Sequence, residues 1–275
     1  MTTPLAKLNL LNSKSIEDVR LFGHLQYPLP DDYEIDYFTK DDGAHIDKWS
    51  HEPFTYKINK YGFRLGTMPN DIDIAAFGCS QTFGVGLPEE FLWHQLLAKE
   101  LNMSSANFGL AGRSIATCID VFLILSKHIK MKHAIFLLPN MQRLQIAKKH
   151  PDTDLVYYLY TIVEYYQLKS LQEFNLDAKL IYRALPEEEI QKICKNQIYL
   201  LDYVAQNRGI NVYISSWEKY TYEFLCDLDL QSITILPPWQ SQSIEFSKSD
   251  KARDMSHPGP KHHKKWANEI KDFIK

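Results

Sequence analysis

Apolar positions change their spacing near residue 70. Upstream, residues 1–70 mix Asp, Tyr, Pro and Lys with little sustained periodicity, and turn signals stand at residues 28–32 (PLPDD) and 41–43 (DDG). This stretch is expected to be an irregular N-terminal extension packed on the main domain, ending in a short strand pair within residues 56–65 (YKINKYGFRL). From Asp71 onward, short apolar runs alternate with helical spacing. Residues 72–77 (IDIAAF), 105–108, 134–138 (AIFLL), 212–215 and 233–236 read as strands. Between them, Trp93, Leu96, Leu97 and Leu101 fall at i, i+3, i+4 and i+8 of a helix. Residues 115–128 suit a largely buried helix, and Ile190, Ile193, Cys194, Ile198, Leu201 and Val204 mark a long amphipathic one, stopped at Asn207-Arg208-Gly209. A closing helix carries Trp266, Ile270, Phe273 and Ile274 on one stripe. Strands alternating with helices predict an α/β fold over residues 71–275, its parallel sheet covered on both faces.

Two segments break the alternation. A helical insertion is expected at about residues 151–187, centred on 155–175 and carrying Tyr157, Tyr158, Tyr160, Tyr165 and Tyr166. Its tyrosines read as core or interface packing, or as a platform for a sugar ring. Residues 237–253 read as a polar loop.

Charge and cysteine content narrow the function classes. The chain has 275 residues, with 31 Lys and Arg against 34 acidic residues and a net charge of -3. That balance lacks the basic surplus of a nucleic-acid binder. No apolar run reaches the ~18 residues of a membrane-spanning helix. The first residues (MTTPLAKLNLLNSKS) lack the apolar core of a signal peptide, so a cytoplasmic location is expected. Cys79, Cys118, Cys194 and Cys226 are scattered without a CxxC pair, which fits reduced thiols and neither a disulfide framework nor a zinc site. No metal and no cofactor is expected.

In an open parallel sheet, ligands sit beyond the carboxyl ends of the strands, so the residues just after each strand matter most. They are Gly78-Cys79-Ser80-Gln81, then Asn107, Gly109 and Gly112 in NFGLAGRS, then Asn140 in LLPNMQR. Just before the last helix stands Asp254-Met255-Ser256-His257-Pro258-Gly259. Acyl transfer needs such a set. A serine hydroxyl attacks only when an imidazole takes its proton, which assigns Ser80 as nucleophile and His257 as base. Asp254 would fix the imidazole's tautomer and orientation. The N–H groups of Ser80 and Gly112 and the amide of Asn140 would form the oxyanion hole.

These blocks resemble the SGNH/GDSL hydrolases. Gly78-Cys79-Ser80-Gln81 resembles their opening GDS(L) block and residues 107–112 their glycine block. Asn140 matches the third block through its asparagine alone, and Asp254 to His257 matches the closing DxxH block. Cys79 replaces the acidic residue usual beside the serine. The resemblance covers residues 71–275 and implies a flavodoxin-like three-layer α/β/α sandwich. It also implies metal-free hydrolysis of esters or thioesters in lipids, acetylated sugars or acyl carriers.

The expected activity is therefore that of a serine ester hydrolase acting through an acyl-enzyme, on a small-molecule or carbohydrate ester. A non-catalytic binding or structural protein of the same fold, and an O-acyltransferase, are the competing assignments. Each residue also has a local alternative. Ser80 could cap a helix, Gly109 and Gly112 make a tight turn, Asn140 turn the chain after Pro139, and His257-Pro258 open a helix beside Asp254. Neither GxSxG nor a Walker pattern is present, because Gln81-Thr82 follows Ser80 and no lysine follows Gly84. Residues 261–265 (KHHKK) are expected to form the solvated face of the last helix.

Overall fold

The computed structural model describes residues 33–37, 54–59, 61–149, 156–162, 185–239, 250–252, 254 and 257–274, with 33–37, 144–149 and 156–162 as backbone only. Strand β1 (Tyr33–Tyr37) pairs antiparallel with β2 (Phe54–Ile58), Tyr33 opposite Ile58. The strand pair expected within residues 56–65 is thus replaced by a pairing further back along the chain. The reason is local turn chemistry: the Asn59 carboxamide oxygen accepts the N–H groups of Tyr61 and Phe63, each at 3.1 Å, so the chain turns where a strand was expected. Beyond that turn, Phe63 and Leu65 are buried in the main core.

The central sheet holds five parallel strands: β3 (Asp71–Gly78), β4 (Ser105–Asn107), β5 (Lys130–Leu138), β8 (Asn211–Ser216) and β9 (Ile233–Ile235). Their order is β4-β3-β5-β8-β9. Renumbered within the sheet this is 2-1-3-4-5, the flavodoxin-like order. The inner strands are buried on both faces, which is why they appear in the sequence as continuous apolar runs.

Helices cover both faces. Helix α1 (Ser80–Phe83) is a single turn closed by Gly84 at φ 80°. On one face α2 (Trp93–Leu101) packs against α6 (Pro260–Ile270), with Trp93 and Trp266 edge to face at 4.8 Å between ring centroids. On the other lie α3 (Ile115–Leu125), capped by the Ser114 hydroxyl, and α4 (Glu187–Arg208), with three glutamates in its first turn and Gly209 at its end. The Phe77 ring stacks on Phe136 at 4.7 Å beneath them. Helix α5 (Lys219–Cys226), unanticipated, starts on Glu218, whose carboxylate accepts the N–H groups of Tyr220 and Thr221.

Since β3 leads to α2 on one face and β5 to α4 on the other, the switch point lies between them, where Gly78 pairs with Leu137. Ligand crevices in such sheets open there, at the carboxyl edge.

Three expectations need correction. Residues 156–162 do not form part of a helix: β7 (Val156–Ile162) pairs antiparallel with β6 (Arg143–Lys149), as its β-branched and aromatic content favours. Residues 163–184, with Tyr165 and Tyr166, lie outside the described residues, as do the side chains of Tyr157, Tyr158 and Tyr160. In α6, His262 and His263 are buried while Lys261 and Lys264 are exposed, so the KHHKK run divides between core and solvent. Phe273, expected on the buried stripe, is 40% exposed because the helix ends at Ile270 and a tighter turn succeeds it. All four cysteines are free, with Cys226 alone exposed. Among the described residues, no helix is long and apolar enough to cross a membrane.

Candidate active site

Ser80 opens α1 directly after β3. Gly78 makes the tight exit possible: a Cβ there would stand 2.2 Å from Thr82 Oγ1 and 2.6 Å from the Leu137 carbonyl oxygen. Ser80 does not cap its helix; Cys79 occupies that position, without a side-chain cap. Its hydroxyl donates instead to Gln81 Oε1 at 3.1 Å, and the Cys79 thiol donates to the same oxygen at 3.0 Å. Gln81 was not singled out in the sequence, although it adjoins the serine.

The loop after β4 is fastened to this turn. Asn107 Nδ2 donates to the Thr82 carbonyl at 2.9 Å, while its oxygen accepts the Gly109 N–H at 2.9 Å. A Cβ on Gly109 would lie 2.6 Å from the Phe83 nitrogen, so glycine permits the close approach. Leu110 N–H reaches the Gly78 carbonyl at 2.9 Å. Gly112, at φ 72°, comes next in the left-handed region.

Asn140 stands just beyond β5. Its side-chain oxygen accepts the Gln142 N–H at 2.7 Å and its carbonyl accepts the Arg143 N–H at 3.1 Å, so it does turn the chain. Engagement of the oxygen orients the amide group as the donor end. The neighbouring Met141 N–H is held by Thr221 Oγ1 of α5 at 2.9 Å.

Asp254 and His257 form a pair. One carboxylate oxygen accepts the His257 backbone N–H at 3.0 Å, and the other is bonded to its Nδ1. With Nδ1 as the proton carrier, Nε2 presents a lone pair. The turn is closed from outside: Ala252 N–H donates to the His257 carbonyl at 2.9 Å and Gly259 N–H to the Asp250 carbonyl at 3.0 Å. The Asp250 carboxylate accepts the His262 N–H at 2.7 Å in the first turn of α6. His263 Nδ1 accepts the Trp93 N–H at 3.1 Å, tying α6 to α2. Burial holds His263 well below the ordinary imidazole range, with neighbouring His262, His94, Arg64 and His257 adding to the effect.

The structure therefore joins Asp254 to His257, and Asn107 and Gly109 to the Ser80 turn. Among the described residues, no hydrogen bond joins Ser80 to His257. Arg64, which no motif marks in the sequence, is only 1% exposed. Its guanidinium donates to the carbonyls of Phe83 at 3.0 Å, Gly84 at 2.7 Å and Leu87 at 2.6 Å, and lies over the Tyr56 ring at 4.3 Å. The Tyr56 hydroxyl accepts the Gly86 N–H at 2.6 Å. Burial lowers the Arg64 pKa to about 10, with Tyr56, Glu89 and Glu90 opposing. One signal was visible: a lone cation inside an aromatic and aliphatic run, YGFRL. Among the described residues, no group of three or more His, Cys, Asp or Glu is disposed to hold a metal.

No family model matches the chain. No curated protein matches it either. Among solved structures it is similar to a lipolytic protein of the G-D-S-L family from Desulfitobacterium hafniense DCB-2, at 12% identity and TM-score 0.44, over 74% of this chain and 98% of that one. It is similar to the psychrotrophic esterase EstA from Pseudoalteromonas sp., at 12% identity and TM-score 0.45, over 74% and 95%. A third is the acetyl xylan esterase Est2A from Butyrivibrio proteoclasticus, at 14% identity and TM-score 0.44, over 82% and 67%.

Proposed function

We propose that the protein is a serine ester hydrolase of SGNH type, with Ser80 as nucleophile, His257 as general base and acid, and Asp254 as the orienting carboxylate. The observation that carries this reading is the Asp254–His257 pairing on the turn before α6. A carboxylate on Nδ1 fixes the tautomer that leaves Nε2 basic, as acyl transfer at a serine requires. Ser80 Oγ attacks the ester carbonyl carbon while its proton passes to His257 Nε2. The oxyanion is met by the N–H groups of Ser80 and Gly112 and by Asn140 Nδ2. Collapse breaks the bond to the alcohol oxygen, which takes the proton from His257. Water, deprotonated by the same imidazole, then releases the carboxylic acid and restores Ser80.

The Ser80–Gln81 bond favours a second reading, a binding protein that keeps the fold without turnover, because the serine proton is engaged by a carboxamide and not by an imidazole. An O-acyltransferase would share the acyl-enzyme and differ in the acceptor alcohol. A fluorophosphonate probe separates these readings. Stoichiometric labelling of Ser80, lost in Ser80→Ala, is the expected result, and an unlabelled wild-type protein of intact fold overturns the hydrolase assignment. Release of free acid from an aryl ester in water, without an added alcohol, distinguishes hydrolase from transferase.

A further inference from the structure

Arg143 is the first residue of β6, three positions after Asn140 and bonded through its N–H to the Asn140 carbonyl at 3.1 Å. Its guanidinium lies over the Trp217 ring at 5.3 Å. Trp217 directly follows β8, whose Ser216 is in register with Leu138 of β5. Cation and platform thus sit together at the carboxyl edge of two adjacent strands, where ligands enter such a sheet.

The guanidinium is not satisfied. Nε and Nη1 are buried, and among the described residues neither meets an acceptor. Leaving charged donors out of water without acceptors is costly, and a chain that intends an arginine for structure alone supplies acceptors, as Arg64 with its three carbonyls illustrates. The adjacent acid, Glu218, is engaged elsewhere: its oxygens accept the N–H groups of Tyr220 and Thr221 and the Thr221 hydroxyl. The cation also acts on a thiol of α3. The Cys118 thiol, in the first turns of α3, is pushed up chiefly by burial, with Cys79 reinforcing and Arg143 opposing the shift.

We propose that Arg143 on Trp217 is an anion subsite beside Asn140, and that the protein prefers esters carrying an oxyanion, a carboxylate or a phosphate. A half-buried guanidinium backed by an aromatic face suits such a group, because its fork matches two oxygens at once. Half-burial leaves an approach from solvent, and turning the planar fork about its last bonds brings further donors to the anion. This inference extends the ester-hydrolase reading, and its test is built to fail separately.

The test has a turnover arm and a binding arm. In the first, kcat/KM is compared for mono-4-nitrophenyl glutarate and 4-nitrophenyl valerate, which share an acyl length and differ in the terminal carboxylate. The expected preference for the glutarate ester is about tenfold or more, chiefly in KM, falling toward unity in Arg143→Gln. In the second, calorimetric titration of Ser80→Ala with glutarate and with inorganic phosphate is expected to give binding about tenfold tighter than in Ser80→Ala/Arg143→Gln. The anion that loses more affinity identifies carboxylate or phosphate as the group recognised. Arg143→Lys, which keeps the charge but not the fork, covers the case in which the glutamine variant does not fold, and an intermediate preference is expected. Arg143-dependent anion binding without turnover of either ester supports the subsite and sinks the hydrolase reading. Equal loss of both esters in Arg143→Gln, or no anion preference together with no Arg143-dependent binding, overturns the subsite.

Discussion

The Arg64 guanidinium donates to the Gly84 carbonyl at 2.7 Å, so a residue preceding the central sheet holds the end of the one-turn helix that begins at Ser80. Three carbonyls depend on this one cation. Arg64→Met is expected to destabilise the fold by more than about 2 kcal/mol, since the carbonyls lose charged donors inside the protein. Arg64→Lys keeps the charge but cannot span residues 83 to 87. Its expected signature is faster amide exchange at residues 80–87, and a larger loss in kcat than in substrate affinity for an aryl ester. Unchanged exchange in the lysine variant would reduce Arg64 to a packing residue.

Gln81 receives the Ser80 hydroxyl proton and the Cys79 thiol proton on one oxygen. Gln81→Leu removes that acceptor at similar volume and frees the Ser80 hydroxyl. Fluorophosphonate labelling is expected to quicken severalfold if Gln81 restrains the nucleophile, and to slow if it orients it. Equal rates would show that the bond has no part in reactivity.

Asn140 has its oxygen fixed by Gln142, so the nitrogen end of the amide is the donor under test. Asn140→Asp preserves the turn acceptor and removes the donor. A drop of about 10²-fold in kcat, with melting temperature little changed, is expected for an oxyanion donor. A loss below about threefold would strike Asn140 from the site.

Buried histidines predict acid sensitivity, His263 among them. Burial lowers the His94 pKa to about 3, with Arg64 contributing, and that of His262 to about 4, with Lys265 contributing. Both are below the unfolded value, so the unfolded chain binds more protons between about pH 6.5 and each folded value. Their stabilisation is complete above about pH 6.5 and is lost as pH falls toward 4 and 3. Each contributes a slope of up to about 1.4 kcal/mol per pH unit. Thermal melts from pH 7 to 4.5 are expected to fall steadily for wild type, and less steeply for His94→Gln. A flat profile in wild type would contradict the burial of both rings.

The layered α/β plan was legible because parallel strands buried on both faces appear as apolar runs, as in residues 72–77 and 134–138. The candidate residues were legible because strand ends concentrate them. What the chain concealed had specific physical causes. Arg64 bonds to backbone carbonyls, which carry no residue identity, so spacing could not name its partners. His262 and His263 were masked by the lysines around them, although Trp239 covers both, with ring centroids 4.8 Å and 4.9 Å away. In β7 the tyrosines suited either periodicity, and only pairing with β6 decides for strand. Helix α5 has a short apolar stripe, and its start depends on the Glu218 cap.

Helix α6 carries a consequence for biosynthesis. The turn bearing Asp254 and His257 is joined to Asp250 and the first residues of α6, and α6 in turn packs on Trp93 of α2 and on Trp239. During synthesis the Ser80 turn, its Arg64 clamp and the Asn107 brace emerge early and can fold first. The imidazole follows much later in the chain. A polypeptide that stops before Asp254 thus holds the serine without its proposed base.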